Sequence, residues 1–169
     1  MDLRHVRRPG DGWLDCACGQ KHWGLNGAAG LLLARSVTLD DGEARVEVVL
    51  QHRAVWSHHG GTWGVPGGAI APDETPTEGA LREAHEEAGI EPADVVVRST
   101  HVLDHGTWSY TTVVGVLRPG ASATVREADD ESLEVRWVPV EDVVDLPLLP
   151  AFGDAWPVLR SEVLAAGPA

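Results

Sequence analysis

Hydrophobic and polar positions divide the chain into short strands, one acidic helix and a closing helix. Residues 23–36 (WGLNGAAGLLLARS) contain a continuous apolar stretch and read as a strand with a buried segment. In ARVEVVLQHR at 44–53, Val46, Val48 and Leu50 alternate with Glu47, Val49 and Gln51, which suits a second, partly buried strand. The turn Asp40-Asp41-Gly42-Glu43 lies between them, so the two are expected to form a hairpin. A glycine-rich loop, SHHGGTWGVPGG, follows. Thr75-Pro76-Thr77-Glu78 then supplies a helix start, with proline near the first position and acid in the first turn, and Gly89 supplies a stop. The helix is expected over 76–88. Its apolar side is thin, carrying Ala80, Leu81, Ala84 and Ala88.

Runs at 94–105 and 108–119 are rich in β-formers, flank a glycine-containing turn and should pair. A polar loop at 121–132 leads to a strand at 133–140 and a short helical turn near EDVVDL. Residues 149–165 suggest a final helix, broken or bent at Pro157. The order of elements gives an α+β or α/β sandwich. One domain is expected over 23–169, preceded by a polar, irregular extension over 1–22.

Length agrees with this division, since 169 residues suffice for one cored domain and not for two. The net charge of −13, with Lys21 the only lysine, excludes a general nucleic-acid surface, which needs clustered cations. An acidic protein still binds anionic phosphates when divalent cations carry positive charge into the site. No apolar run approaches the roughly 18 residues of a membrane span. The start, MDLRHVRRPGDGW, has charges where a signal peptide needs an apolar core. A cytoplasmic protein without membrane partners is therefore expected; a homodimer through the extension or a sheet edge stays open.

The chemistry concentrates in GGAIAPDETPTEGALREAHEEAGI, residues 67–90. Glu83, Glu86 and Glu87 fall at i, i+3 and i+4, so a helix projects their carboxylates from one face. Such like charges repel unless a cation lies between them, and hard oxygen ligands favour magnesium or manganese.

From Gly68 onward the spacing is glycine, five residues, Glu74, seven residues, then Arg82-Glu83-Ala84-His85-Glu86-Glu87-Ala88-Gly89-Ile90. This resembles the signature box of the Nudix (MutT-like) hydrolases, departing from it at Ala84, where the family prefers a bulky aliphatic residue. The resemblance implies a mixed β-sheet sandwiched between α-helices and a Mg2+-dependent hydrolase, with Mn2+ as the alternative ion. Its substrate would be a nucleoside diphosphate linked to another group, split by attack of an activated water on phosphorus. It further implies Glu83, Glu86 and Glu87 as metal ligands, with the Gly67 carbonyl a further ligand. Arg82 would orient the carboxylates, Glu74 would complete that network, and Gly68 and Gly89 would serve the box structurally. A loop glutamate beyond the box acts as general base in many relatives. Glu131 fits that placement best, among the neighbours Glu127, Asp129, Asp130 and Glu134; the alternative is a solvated acidic loop.

For a nucleobase, Trp63 and Trp108 are the preferred stacking residues among Trp56, Trp63, Trp108, Tyr110 and Trp137. Arg53 is a phosphate-contact candidate on charge, and His58 and His59 share its loop. Cys16, Cys18 and His22 offer three soft ligands, one short of a closed zinc site, with His5 or Asp15 the only nearby additions. A disulfide two residues apart is geometrically disfavoured, so a reduced hairpin without zinc is expected there. The extra tags of ADP-ribose, dinucleoside-polyphosphate and NADH hydrolases are absent. The Trp63-Gly-Val-Pro-Gly-Gly approach to the box resembles the nucleotide-sanitising branch, which converts nucleoside triphosphates to monophosphate and pyrophosphate. ADP-ribose or nucleotide-sugar hydrolysis is the alternative, and a non-catalytic nucleotide-sensing domain the rival from another class.

Overall fold

A computed structural model describes residues 7–169. The central strands are β3 (Ala28–Thr38), β4 (Ala44–Arg53), β8 (Ser109–Leu117) and β7 (Val95–Asp104), joined by the short β5 (Trp63–Gly64), β6 (Gly67–Ala69) and β9 (Ser132–Pro139). They form one mixed sheet in the order β5-β4-β3-β8-β7, with β6 on β3 and β9 on β4. Helices α1 (Pro76–Ala88) and α2 (Pro150–Ala166) complete the α+β fold, with short 3-10 turns at Pro92–Asp94 and Val140–Asp145. The two expected hairpins, β3 with β4 and β7 with β8, are both antiparallel, whereas β3 and β8 run parallel.

The continuous apolar run of β3 has a physical cause. Successive side chains point to opposite faces, and both faces are covered. Leu31 and Leu33 pack with Ala80, Ala84 and Ala88 of α1, while Leu32 and Ala34 pack with Phe152, Trp156, Leu159 and Val163 of α2. Each fully buried leucine contributes about 1.5–3 kcal/mol by leaving water. The sheet side of α1 is alanine at all three of these positions, each fully buried. Ala84 thus departs from the family preference in a helix packed on the sheet through small residues, and a larger side chain would overpack it.

Helix α1 starts and stops where its sequence predicts. Thr75 and Glu78 form a reciprocal capping box, Pro76 occupies the first turn, and Gly89 closes the helix with a left-handed φ of 69°. Of the break or bend expected at Pro157, the break does not occur: helix α2 runs unbroken through that residue.

Two expectations at the N-terminal side are corrected. Residues 13–23 are not irregular: β1 (Trp13–Asp15) and β2 (Lys21–Trp23) pair antiparallel, setting Trp13 opposite Trp23. Three-residue strands are too short for alternation to show in the sequence. Trp23 accordingly ends β2 and does not begin β3. Gly24 adopts a φ of 106°, and a Cβ there would lie 2.3 Å from the Gly27 carbonyl oxygen, so the chain turns sharply before the sheet.

Along one edge, the first residues of β3 pair with β6 and the last with β4. This brings Gly67 and Gly68 beside Ala29 and Gly30 in the middle of the sheet. Glycine is required by contact, because a Cβ on Gly67 would sit 2.5 Å from the Ala29 oxygen.

Candidate active site

The acidic face of α1 meets β6 through Glu87. Its carboxylate is only 3% exposed and accepts a hydrogen bond from the Gly67 amide at 2.9 Å. Burial pushes its pKa well above the usual carboxylate range, and Glu83, Glu131 and Asp129 push it further. Glu83 is raised as well, mainly by burial, against the opposing hydrogen bond from Arg82. A Cβ on Gly68 would lie 2.8 Å from the Glu83 carboxyl carbon, so that glycine gives the carboxylate its room.

Arg82 ties the acidic groups into one network. Its guanidinium donates to both Glu74 oxygens at 2.5 and 3.0 Å, to Glu83 at 2.6 Å, to Glu86 at 3.4 Å and to the Ala69 carbonyl at 3.0 Å. Glu74 also accepts from the Ala71 amide at 2.9 Å, and its pKa is held down chiefly by Arg82. The planar fork thus links the loop, β6 and the helix, which a lysine would not do. Glu86, the most exposed of the three helix glutamates, also pairs with Arg8 from the N-terminal segment.

The loop of residues 121–132 reaches this face because the end of α1 needs partners. The carbonyls of Glu87 and Ala88 lack intrahelical donors, and the amides of Ala128 and Arg126 supply them at 2.9 and 3.2 Å. Asp129 and Glu131 are thereby carried to Glu87, with one ligand oxygen of each within 4.8 Å of the others. Three convergent carboxylates, one of them deeply buried, form an all-oxygen donor set suited to a hard divalent cation. Asp129 belongs to this cluster as fully as Glu131 does; the pairing with the helix end, invisible in sequence, selects both. Glu127 is turned to another task, accepting from the Val135 amide at 3.1 Å.

Beside Gly67 and Gly68 opens a cavity of about 250 Å³. Its walls include Arg53 and Tyr110 from the sheet, Trp108 from the turn between β7 and β8, Leu149 and Phe152 near the start of α2, and Trp13 and Trp23 from the hairpin. Arg53 and Trp108, the sequence candidates for phosphate contact and base stacking, both line this cavity, as do His58 and His59. Trp63 does not. It is 5% exposed, stacked on His52 at 4.6 Å and covered by the Arg136 guanidinium, a core residue under the site. Trp56 is 64% exposed, and Trp137 is fixed by a bond to the Ala123 carbonyl at 2.6 Å. The hairpin's share in the cavity was not legible in sequence; its signal is the pair Trp13 and Trp23, edge-to-face at 5.4 Å.

A NUDIX domain model matches residues 30–160. Over 156 residues the chain is 53% identical to a nucleoside triphosphate pyrophosphatase/Nudix hydrolase fusion protein of Bifidobacterium longum, covering 92% of this chain and 32% of that protein. It is 46% identical over 162 residues to the putative 8-oxo-dGTP diphosphatase 3 of Mycobacterium tuberculosis, covering 92% of this chain and 71% of that one. The chain thus spans about a third of the fusion protein's length. Among solved structures, the Nudix hydrolase RenU of M. smegmatis superposes with a TM-score of 0.79 at 43% identity, covering 95% of this chain and 98% of that chain. The mixed sheet with helices packed on it is thus a fold this chain has in common with that solved structure. The chain belongs to the Nudix hydrolase family.

Proposed function

We propose that this chain is a Mg2+- or Mn2+-dependent nucleoside triphosphate pyrophosphohydrolase of the nucleotide-sanitising kind, releasing a nucleoside monophosphate and pyrophosphate. The observation that carries the reading is the convergence of Glu87, Asp129 and Glu131 beside a cavity with aromatic walls. The likeness to a putative 8-oxo-dGTP diphosphatase supports the substrate class. Glu83, Glu86 and Glu87 would hold the cation, with Asp129 and the Gly67 carbonyl completing the set. Bound there, a divalent cation screens the charge of the phosphates and lowers the pKa of a coordinated water.

Position supports the remaining roles. The Gly67 amide fixes the Glu87 carboxylate, and Arg82 fixes Glu83 and Glu86 by directed hydrogen bonds. Glu131 takes the proton from the attacking water as phosphorus is approached. Arg53 meets the phosphate chain, and Trp108 stacks on the base at the far side of the cavity. Water adds to phosphorus, the anhydride oxygen leaves with pyrophosphate or monophosphate, and the proton passes through Glu131 to solvent.

The test is mass-spectrometric product analysis with Mg2+ and a panel of nucleoside triphosphates, oxidised dGTP, ADP-ribose, nucleotide sugars and dinucleoside polyphosphates. Monophosphate and pyrophosphate from triphosphates support the reading. Preferential cleavage of ADP-ribose or nucleotide sugars would transfer the site to the second class, and binding without turnover would make it a sensor.

A further inference from the structure

We propose that Cys16, Cys18 and His22, with His105 taking the fourth position, hold a zinc ion that pins the N-terminal hairpin against the cavity. This reverses the expectation of a metal-free hairpin, and it stands independently of the proposed activity. The cluster lies in residues that precede the span matched by the family model, apart from His105.

The three side chains converge although they are spread over seven residues. A tight turn does this: the Cys16 amide donates to the Gln20 carbonyl at 2.9 Å, the Gly19 amide to the Cys16 carbonyl at 3.0 Å, and Gly19 adopts a φ of 86°. The ligand atoms of Cys16, Cys18 and His22 all lie within 4.8 Å of one another, with the Cys18 sulfur 3.2 Å from His22 Nε2. Ligands about 2.1–2.3 Å from a tetrahedral zinc are themselves roughly 3.6 Å apart, so the cluster needs only small movements to close on an ion. Trp108 stacks on the His22 ring at 4.1 Å and 9°, fixing the ring plane with Nε2 at the cysteines. His5, a residue weighed as the fourth ligand from sequence, lies outside the described residues, and Asp15 instead pairs with Lys21 at 3.0 Å.

His105 comes from the β7–β8 turn, some eighty residues further along the chain. Its ring centroid is 4.7 Å from that of His22, and its carbonyl accepts from the Cys16 thiol at 3.4 Å. Its ring nitrogens are not among the atoms that already converge, so taking the fourth position requires the side chain to turn toward the cluster. The same turn supplies a supporting shell: Thr107 places its hydroxyl 3.4 Å from the Cys16 sulfur and accepts from the Ala17 amide at 3.0 Å.

Zinc binding would displace the proton of each cysteine thiol to solvent and form two sulfur and two nitrogen bonds, with no change of oxidation state. Sulfur and imidazole select zinc, whereas the all-oxygen cluster on α1 selects a harder ion. The hairpin has reason to need a clamp. Strands of three residues cannot hold themselves together in water, yet Trp13, His22 and Trp23 form one wall of the cavity.

Zinc content and affinity of the full chain, measured with the metal alone by elemental analysis and chelator competition, test the site. Cys18→Ser, at an exposed position, serves as the informative variant, with circular dichroism confirming its fold. About one zinc per chain is expected in wild type, with affinity weakened at least about 100-fold in Cys18→Ser and unchanged in Glu87→Gln. Cobalt substitution should give a thiolate charge-transfer band that Cys18→Ser diminishes. Zinc bound equally by wild type and Cys18→Ser, or lost in Glu87→Gln alone, would overturn the proposal, as would no binding at all.

Discussion

Oε2 of Glu87 accepts a hydrogen bond from the Gly67 amide at 2.9 Å, and this bond aims the most buried carboxylate of α1 across β6. A helix face that would otherwise be a solvated acidic stripe becomes a fixed donor set. Glu87→Gln keeps the shape and can keep the amide bond, while it removes the charge that a cation requires. Turnover should fall on the order of 10²–10⁴-fold, since the group is asked for several kcal/mol of transition-state stabilisation. Steady-state kinetics beside a thermal melt checks this, and the melt should show no loss of fold.

The same burial gives a pH dependence to the metal-free protein. The folded pKa of Glu87 lies above its unfolded value, so the native state binds more protons through the interval between them. Stability therefore declines as pH rises from the ordinary carboxylate pKa through the raised one. Melting temperatures in chelator should follow that decline, Glu87→Gln should flatten it, and added Mg2+ should restore stability at high pH. A melting temperature that rises over the same interval would contradict the sign.

Arg82→Lys is predicted to be far from conservative. A lysine cannot reach Glu74, Glu83 and the Ala69 carbonyl together, as the guanidinium does. Partly buried carboxylates are then left with fewer partners, at a cost of about 1–3 kcal/mol. Urea unfolding measures the loss, and activity should fall with it because Glu83 and Glu86 lose their orientation.

Gly68→Ala isolates geometry from charge. The added methyl would come within 2.8 Å of the Glu83 carboxyl carbon and must displace it. A shift of this kind should cost on the order of 10²-fold in kcat with the fold intact. Wild-type activity in Gly68→Ala would show that the position of Glu83 is not critical.

Glu131→Gln probes the loop beyond the box. Loss of its basicity should lower kcat by about 10²–10⁴-fold while leaving nucleotide affinity and stability near wild type. An unchanged rate removes Glu131 from the assignment and leaves Asp129 as the candidate of that loop.

Much of the fold was legible because local signals agreed. Thr75, Pro76, Glu78 and Gly89 bound α1 at the residues where the structure begins and ends it. The spacing of Glu83, Glu86 and Glu87 likewise announced a carboxylate face. What stayed hidden depended on tertiary partners. Asp129 is brought to Glu87 by amides that satisfy the end of α1, and nothing in its own neighbourhood marks it off from Asp130. Trp63 and Trp108 were equal candidates by type. The structure separates them because Trp63 lies on β5 beneath Arg136, while Trp108 enters the turn that meets the hairpin, its Nε1 donating to the Trp23 carbonyl at 3.1 Å. Three-residue strands carry no readable period, so the pairing of β1 with β2 and the place of the hairpin at the cavity wall were not legible in the sequence.

The most direct test of the central claim is pyrophosphate release from a nucleoside triphosphate by wild type and Glu87→Gln, each with Mg2+ and with chelator. Release by wild type only when Mg2+ is present, and its loss in the folded variant, is the predicted result. Equal release by the variant, or release that persists in chelator, would contradict a reaction organised by the carboxylates of α1.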